Sequence, residues 1–143
     1  MKKNNGFTLI EILVVTTIIV LLTAGAIVSY STFLKQSRDA KRKADLGQIS
    51  AALEMLRSNI DSYTAFSGDC ASYTALTEAP KYIESMPADP KSSSDYFYTC
   101  IITADDYSLG AFLETGSGTG TCSNCKTGIP CNYCVGPYGQ KYP

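Results

Sequence analysis

The chain has 143 residues, a formal charge of −1, no His, no Trp, ten Tyr and six Cys. That length holds one modest domain with a small core plus one special segment, and the near-neutral balance gives no case for a nucleic-acid surface over the whole chain. Without His, an imidazole base, a Ser-His-Asp triad and a His-ligated metal are all excluded.

Residues 1–6, MKKNNG, form a very short basic stretch. From Ile12 to Tyr30 the chain carries no charge, which is close to the ~20 residues a helix needs to cross a ~30 Å hydrocarbon layer. The run is longer than the ~7–15 apolar residues of a secretory signal and lacks a small-residue cleavage site after it. Charged helix formers follow instead, and Leu46, Ile49, Leu53, Leu56 and Ile60 step by 3, 4, 3, 4, the stripe of a one-faced helix. These features predict one helix from about Phe7 to about Asn59, roughly 80 Å long at ~1.5 Å per residue, apolar all round in its first half and amphipathic in its second. Glu11 sits just before the uncharged run. Within a membrane helix an acid costs a few kcal/mol and is a functional candidate by default; at headgroup level it costs little, and helix geometry alone leaves both open.

Gly6-Phe7-Thr8-Leu9-Ile10-Glu11, behind a basic leader and ahead of an unbroken apolar helix, resembles the processing signal of type IV pilins and type II secretion pseudopilins. The likeness covers about the first thirty residues. It implies that a membrane prepilin peptidase cuts between Gly6 and Phe7 and methylates the new amine, removing Lys2 and Lys3 with the leader. It also implies that Glu11 of one subunit neutralises the Phe7 amine of a neighbour in a helical filament, since desolvated charges need partners and a buried polar pair sets register. The implied partners are other copies of the chain, the peptidase, a pilus or secretion assembly platform, and membrane lipid before assembly. No nucleic acid, cofactor or catalysis is implied. Before assembly the chain would be a single-pass membrane protein with its N-terminus cytoplasmic and its C-terminus outside; afterwards it would belong to a periplasmic or extracellular filament. Many pilins carry a proline well inside the mature helix. Val28 occupies that position here, the helix contains no proline, and Gly25 reads as a small residue for close packing.

The basic cluster Lys35, Arg38, Lys41, Arg42, Lys43 after the apolar run conflicts with this orientation under the positive-inside rule; the processing motif is given precedence. Asp39 and Asp45 offer i,i+3 and i,i+4 partners, so a solvated, salt-laced helix face is expected there.

Residues 61–95, with Gly68, Pro80, Pro87 and Pro90, read as a loop holding a short helix near Tyr73–Ala79. Met86-Pro87-Ala88-Asp89-Pro90 is similar to the Pro-x-Asp-Pro element before the sheet in pseudopilin-like subunits: two fixed φ angles and an Asx turn ahead of a strand. Tyr96–Ile102 and Tyr107–Leu113 predict a β-hairpin, covered by the Leu46–Ile60 stripe. Asp105 and Asp106, in its turn, are the best candidates for calcium, which some pseudopilins bind in this region, although adjacent acids in a turn are usually only solvated.

The tail, 114–143, is rich in Gly, Ser and Cys without periodicity. Cys122-x-x-Cys125 and Cys131-x-x-Cys134 allow disulfides in an exported domain, a tetrathiolate zinc site despite a short spacing, or a redox pair. Cys70 with Cys100, and the other four among themselves, is the pairing expected if disulfides form. The organisation expected is thus a leader (1–6), a transmembrane or filament-core helix (7–30), an amphipathic helix (31–60), an αβ-loop (61–95), a hairpin (96–113) and a Cys-rich tail (114–143): an α+β fold. The function expected is that of a pilus-like filament subunit, with a type II secretion pseudopilin or a membrane-anchored zinc or thiol module as alternatives.

Overall fold

A computed structural model describes residues 6–116 and 122–140, apart from the side chains of 26–29 and 140. One helix, α1 (Leu9–Ile60), is followed by seven short strands. By their contacts the residues fall into two units, Met1–Lys35 and Gln36–Pro143.

In the first unit the described helical side chains from Leu9 to Lys35 are all exposed, leucines, isoleucines and valines included. The three threonines Thr16, Thr17 and Thr23 turn their hydroxyls back onto the carbonyls of Leu13, Val14 and Ile19 at 2.8–2.9 Å. These three hydroxyls are thereby satisfied within the helix, as an apolar surrounding demands.

The second unit is α+β. Antiparallel strands β1 (Phe66–Asp69), β2 (Thr99–Ile102), β3 (Tyr107–Ala111), β6 (Tyr133–Gly136) and β7 (Gly139–Gln140) form one sheet in the order β1-β2-β3-β6-β7, and β4 (Asn124–Lys126) with β5 (Ile129–Pro130) forms a separate hairpin. Leu46, Ile49, Ala52, Leu53 and Leu56 line the helix side of the core, against Tyr63, Tyr98, Ile102, Tyr107 and Leu109. Fully burying each leucine or isoleucine is worth about 1.5–3 kcal/mol. Ile60, the last residue of the predicted stripe, is 54% exposed; the helix ends there and the chain turns away through Asp61 at φ 59°.

Three expectations need correction. The short helix near Tyr73–Ala79 is a pair of 3-10 turns, Cys70–Ser72 and Thr74–Leu76. The loop 61–95 contains the edge strand β1, and the tail expected to lack regular structure contributes β6 and β7 to the main sheet. The predicted hairpin is therefore the centre of a five-stranded sheet.

All six cysteines are in disulfides: Cys70–Cys100, Cys122–Cys134 and Cys125–Cys131. The first ties the 3-10 turn after β1 to β2. The other two nest, one loop inside the other, and rest on Gly110 of β3. A Cβ there would lie 2.8 Å from Cys131 Sγ and 2.9 Å from Cys122 Sγ. Glycine is required at this position because nothing larger fits beneath two sulfurs.

Candidate assembly site

The helix start is fixed locally. Thr8 is the N-cap: its carbonyl takes the first helical bond, from Ile12 N at 3.4 Å. Thr8 N and Oγ1 both donate to Glu11 Oε2, at 2.8 and 2.6 Å, and Glu11 N donates to Thr8 Oγ1 at 3.3 Å. This is a capping box, with Thr at the cap and Glu at the third helical residue. The sequence analysis missed it, although the Thr8-x-x-Glu11 spacing is its signature. Glu11 thus has two separable properties: a local bond that starts the helix and a negative charge close behind Phe7. Phe7 is 85% exposed, and Gly6 has nothing within 4 Å of where a Cβ would stand. Gly6 and Phe7 are thus both exposed.

Leu9 to Leu22 present an apolar surface that none of the described residues covers. Among the described residues no single helix is long and apolar enough to cross a membrane. Leu9–Gly25 and Tyr30–Ile60 together meet the length and composition of a span.

The basic cluster departs from expectation. Lys35, Lys41 and Lys43 are exposed, but Arg42 is wholly buried, and Asp39 and Asp45 are buried too. Arg42 grips Asp89 of the Pro-Asp-Pro element with Nε and Nη2 at 2.7 and 3.0 Å, and its Nη1 reaches Asp39 at 2.9 Å and Glu114 at 3.0 Å. Arg38 and Lys91 also bind Glu114, at 2.6 and 2.8 Å. Asp39 in turn accepts from the backbone N–H of Glu114 and Thr115 and from the Thr115 hydroxyl. Three cations face three carboxylates, so the charge is balanced around the buried Arg42, while Arg38 and Lys91 close the cluster from its partly exposed rim. Burial alone opposes the charge on Arg42, but its bonds to Asp89 and Glu114 outweigh that and hold its pKa above the ordinary value. The bond from Arg38, against the opposing effect of burial, holds Glu114 well below the usual carboxylate range, with Lys91 and Arg42 adding to it. A solvated helix face is thus replaced, on one side of the helix, by an ionic clasp that joins it to the loop before β2 and the segment after β3. The sequence showed that Asp89 makes an Asx turn, and its Oδ1 does accept from Lys91 N at 2.7 Å. It did not show that the same carboxylate anchors Arg42.

Cys122, Cys125, Cys131 and Cys134 have their sulfurs in disulfides, which leaves no thiolate to ligate zinc or to act in redox exchange. Asp105 and Asp106 are exposed in the β2–β3 turn, where Asp106 Oδ1 accepts from Tyr107 N at 2.9 Å. Among the described residues, no group of three or more His, Cys, Asp or Glu that could hold a metal ion is found.

Residues 1–27 match the family described as the prokaryotic N-terminal methylation motif. With the α+β fold and the capped apolar helix, the match places the chain in a class of helix-led subunits: it belongs to the type IV pilin and type II secretion pseudopilin family. A similar protein is the type II secretion system core protein G of Pseudomonas aeruginosa, 30% identical over 130 residues, covering 80% of this chain and 89% of that protein. No solved structure matches the chain.

Proposed function

We propose that the chain is a structural subunit of a type IV pilus-like filament, made as a membrane-anchored prepilin and carrying no catalysis of its own. A prepilin peptidase cuts after Gly6 and methylates the Phe7 amine. The mature subunit then leaves the lipid and polymerises on a membrane assembly platform through its N-terminal helix. The observation that carries this reading is Glu11, capped onto Thr8 at the head of an uncovered apolar helix and close to the bond to be cut. Cleavage turns Phe7 into a cation. Once copies bundle and water leaves, that cation and a neighbour's carboxylate each require a counter-charge. The apolar surface supplies area; the ion pair selects one axial offset.

The N-terminal residue of the protein taken from cells tests this. N-methylated phenylalanine, with a mass lower by MKKNNG, supports it, and an intact Met1 overturns it. A second reading, a type II secretion pseudopilin, is favoured by the similarity to core protein G. Deleting the chain's gene separates the two. Loss of surface filaments with secretion intact supports the pilus, whereas loss of protein export from cells that never displayed filaments supports the pseudopilus.

A further inference from the structure

The globular unit distributes its exposed charges unevenly. At the start of its helix, Asp39, Asp89 and Glu114 are turned inward onto Arg38, Arg42 and Lys91. Lys41 and Lys43 remain exposed, Lys41 only loosely near Asp45 at 3.9 Å and Lys43 over the Tyr133 ring at 5.4 Å. Lys126, over the Tyr96 ring at 4.7 Å, adds to the same end, against exposed Asp95. At the other end of the helix, where Asn59 donates to the Tyr82 hydroxyl at 3.0 Å, exposed Lys81 is paired with Glu84 at 3.6 Å, and acidic side chains predominate. Asp61 follows Ile60, and the β2–β3 turn with Asp105 and Asp106 is bound to this end by Tyr63 N donating to Ala104 O at 3.0 Å. Arg57, the basic residue nearby, is engaged with the Tyr63 hydroxyl at 3.2 Å.

Twenty helical residues separate Lys41 from Asp61, roughly 30 Å at ~1.5 Å each. Charges that far apart do not neutralise one another within a molecule, because the screening length at physiological salt is about 8 Å. Two copies displaced along the helix direction bring the ends together. We propose that the acidic end of one globular unit, Asp61 and Asp105, docks on the basic end of a second copy, Lys41 and Lys43. The partner is another copy of this chain, and the contact rests on the filament reading above. It is distinct from the N-terminal helix contact and gives globular units an electrostatic register of their own. Complementary ends also bar the wrong arrangement, since like ends repel.

The test uses filaments of the full chain treated with a zero-length carbodiimide, which joins an amine to a carboxylate only where they touch. A joined peptide pair from Lys41 or Lys43 to Asp61 or Asp105 must come from two copies, because the distance within one is far too long. The proposal expects that pair, and a filament yield about tenfold lower for K43E at physiological salt, restored when D105K is placed in the same chain. Both positions are exposed and outside the buried clasp. Filaments that form normally from K43E and D105K and yield no such pair overturn the proposal. An unaltered chain that is processed but never found in filaments overturns the assembly reading itself, and this contact with it.

Discussion

Arg42 holds both carboxylate oxygens of Asp89, from Nε at 2.7 Å and from Nη2 at 3.0 Å, with neither side chain open to solvent. Breaking a buried ion pair by deleting one partner costs about 3–5 kcal/mol, because the other charge stays behind in a dry site. Arg42→Ala leaves Asp89 without its cation and takes one partner each from Asp39 and Glu114, which keep the bonds from Thr115 and from Arg38 and Lys91. For a domain of this size each kcal/mol lowers the unfolding midpoint by roughly 4–8 °C. The full chain in detergent, followed by near-ultraviolet tyrosine dichroism, is expected to melt at least about 12 °C lower. Arg42→Lys keeps the charge but not the fork, and falls between. A midpoint for Arg42→Ala within 3 °C or so of the unaltered chain would show that the clasp does not stabilise the unit.

The same interior predicts a pH profile. Glu114 and Asp39 have folded pKa values below their ordinary ones. For Glu114 the leading cause is the Arg38 bond; for Asp39, burial pushes the other way and is outweighed by the bonds from Thr115, the Glu114 and Thr115 backbone and Arg42. Their stabilisation is therefore full above the ordinary carboxylate range, near pH ~4, and is lost only as pH falls through the depressed values. Tyr107 is pushed up to about 12, by burial first and by its bond to Glu54, while burial and Asp45 raise Tyr98 further. A raised tyrosine stabilises fully below its unfolded value of ~10 and loses that contribution as pH rises through the folded one. Denaturant midpoints are expected to be level between about pH 5 and 9 and to fall from about pH 10. Tyr107→Phe should shrink the alkaline fall and leave the acid side unchanged. An equal alkaline fall in that variant would remove Tyr107 from the account.

The parts of this fold that were legible in the sequence are those written in local pattern. The 3-4-3 spacing from Leu46 to Leu56 placed the buried helix face, and the β-branched and aromatic run to Ile102, with its return from Tyr107, placed the central hairpin. What failed to show depends on distant partners. β6 is only Tyr133–Gly136, too short to display an alternation, and it becomes a strand by pairing with β3 under the nested disulfides. Arg42 looked like one more exposed cation because its burial depends on Asp89, 47 residues away. At the N-terminus the capping box is local: its signature is written in the four residues Thr8 to Glu11 and needs no distant partner.

Two glycines separate space from backbone freedom. Gly110→Ala puts a methyl within 3 Å of two disulfide sulfurs that have little room to shift. Overpacking of this kind costs about 1–3 kcal/mol. Gly47 is exposed within the helix, and a Cβ there meets nothing within 4 Å. Gly47→Ala is therefore expected to stabilise by about 1 kcal/mol. Opposite shifts in the unfolding midpoint of the full chain check both at once. A Gly110→Ala chain as stable as the original would mean that the nested disulfides yield more easily than the packing implies.

Thr8 and Glu11 offer a way to divide one residue's two properties. A glutamine at the third helical position still reaches back to the cap, so Glu11→Gln keeps a capping box while removing the charge. Thr8→Ala does the reverse: it deletes the cap, at a cost of about 1 kcal/mol to the helix start, and leaves the carboxylate in place. If the charge organises assembly, Glu11→Gln is processed normally, begins its helix at the same residue by amide exchange in micelles, and yields few or no filaments. Thr8→Ala, with a frayed first turn and the carboxylate intact, still polymerises. The opposite ranking, with Glu11→Gln assembling freely and Thr8→Ala failing, would assign the role of this site to the start of the helix and leave the Phe7 amine without the partner proposed for it.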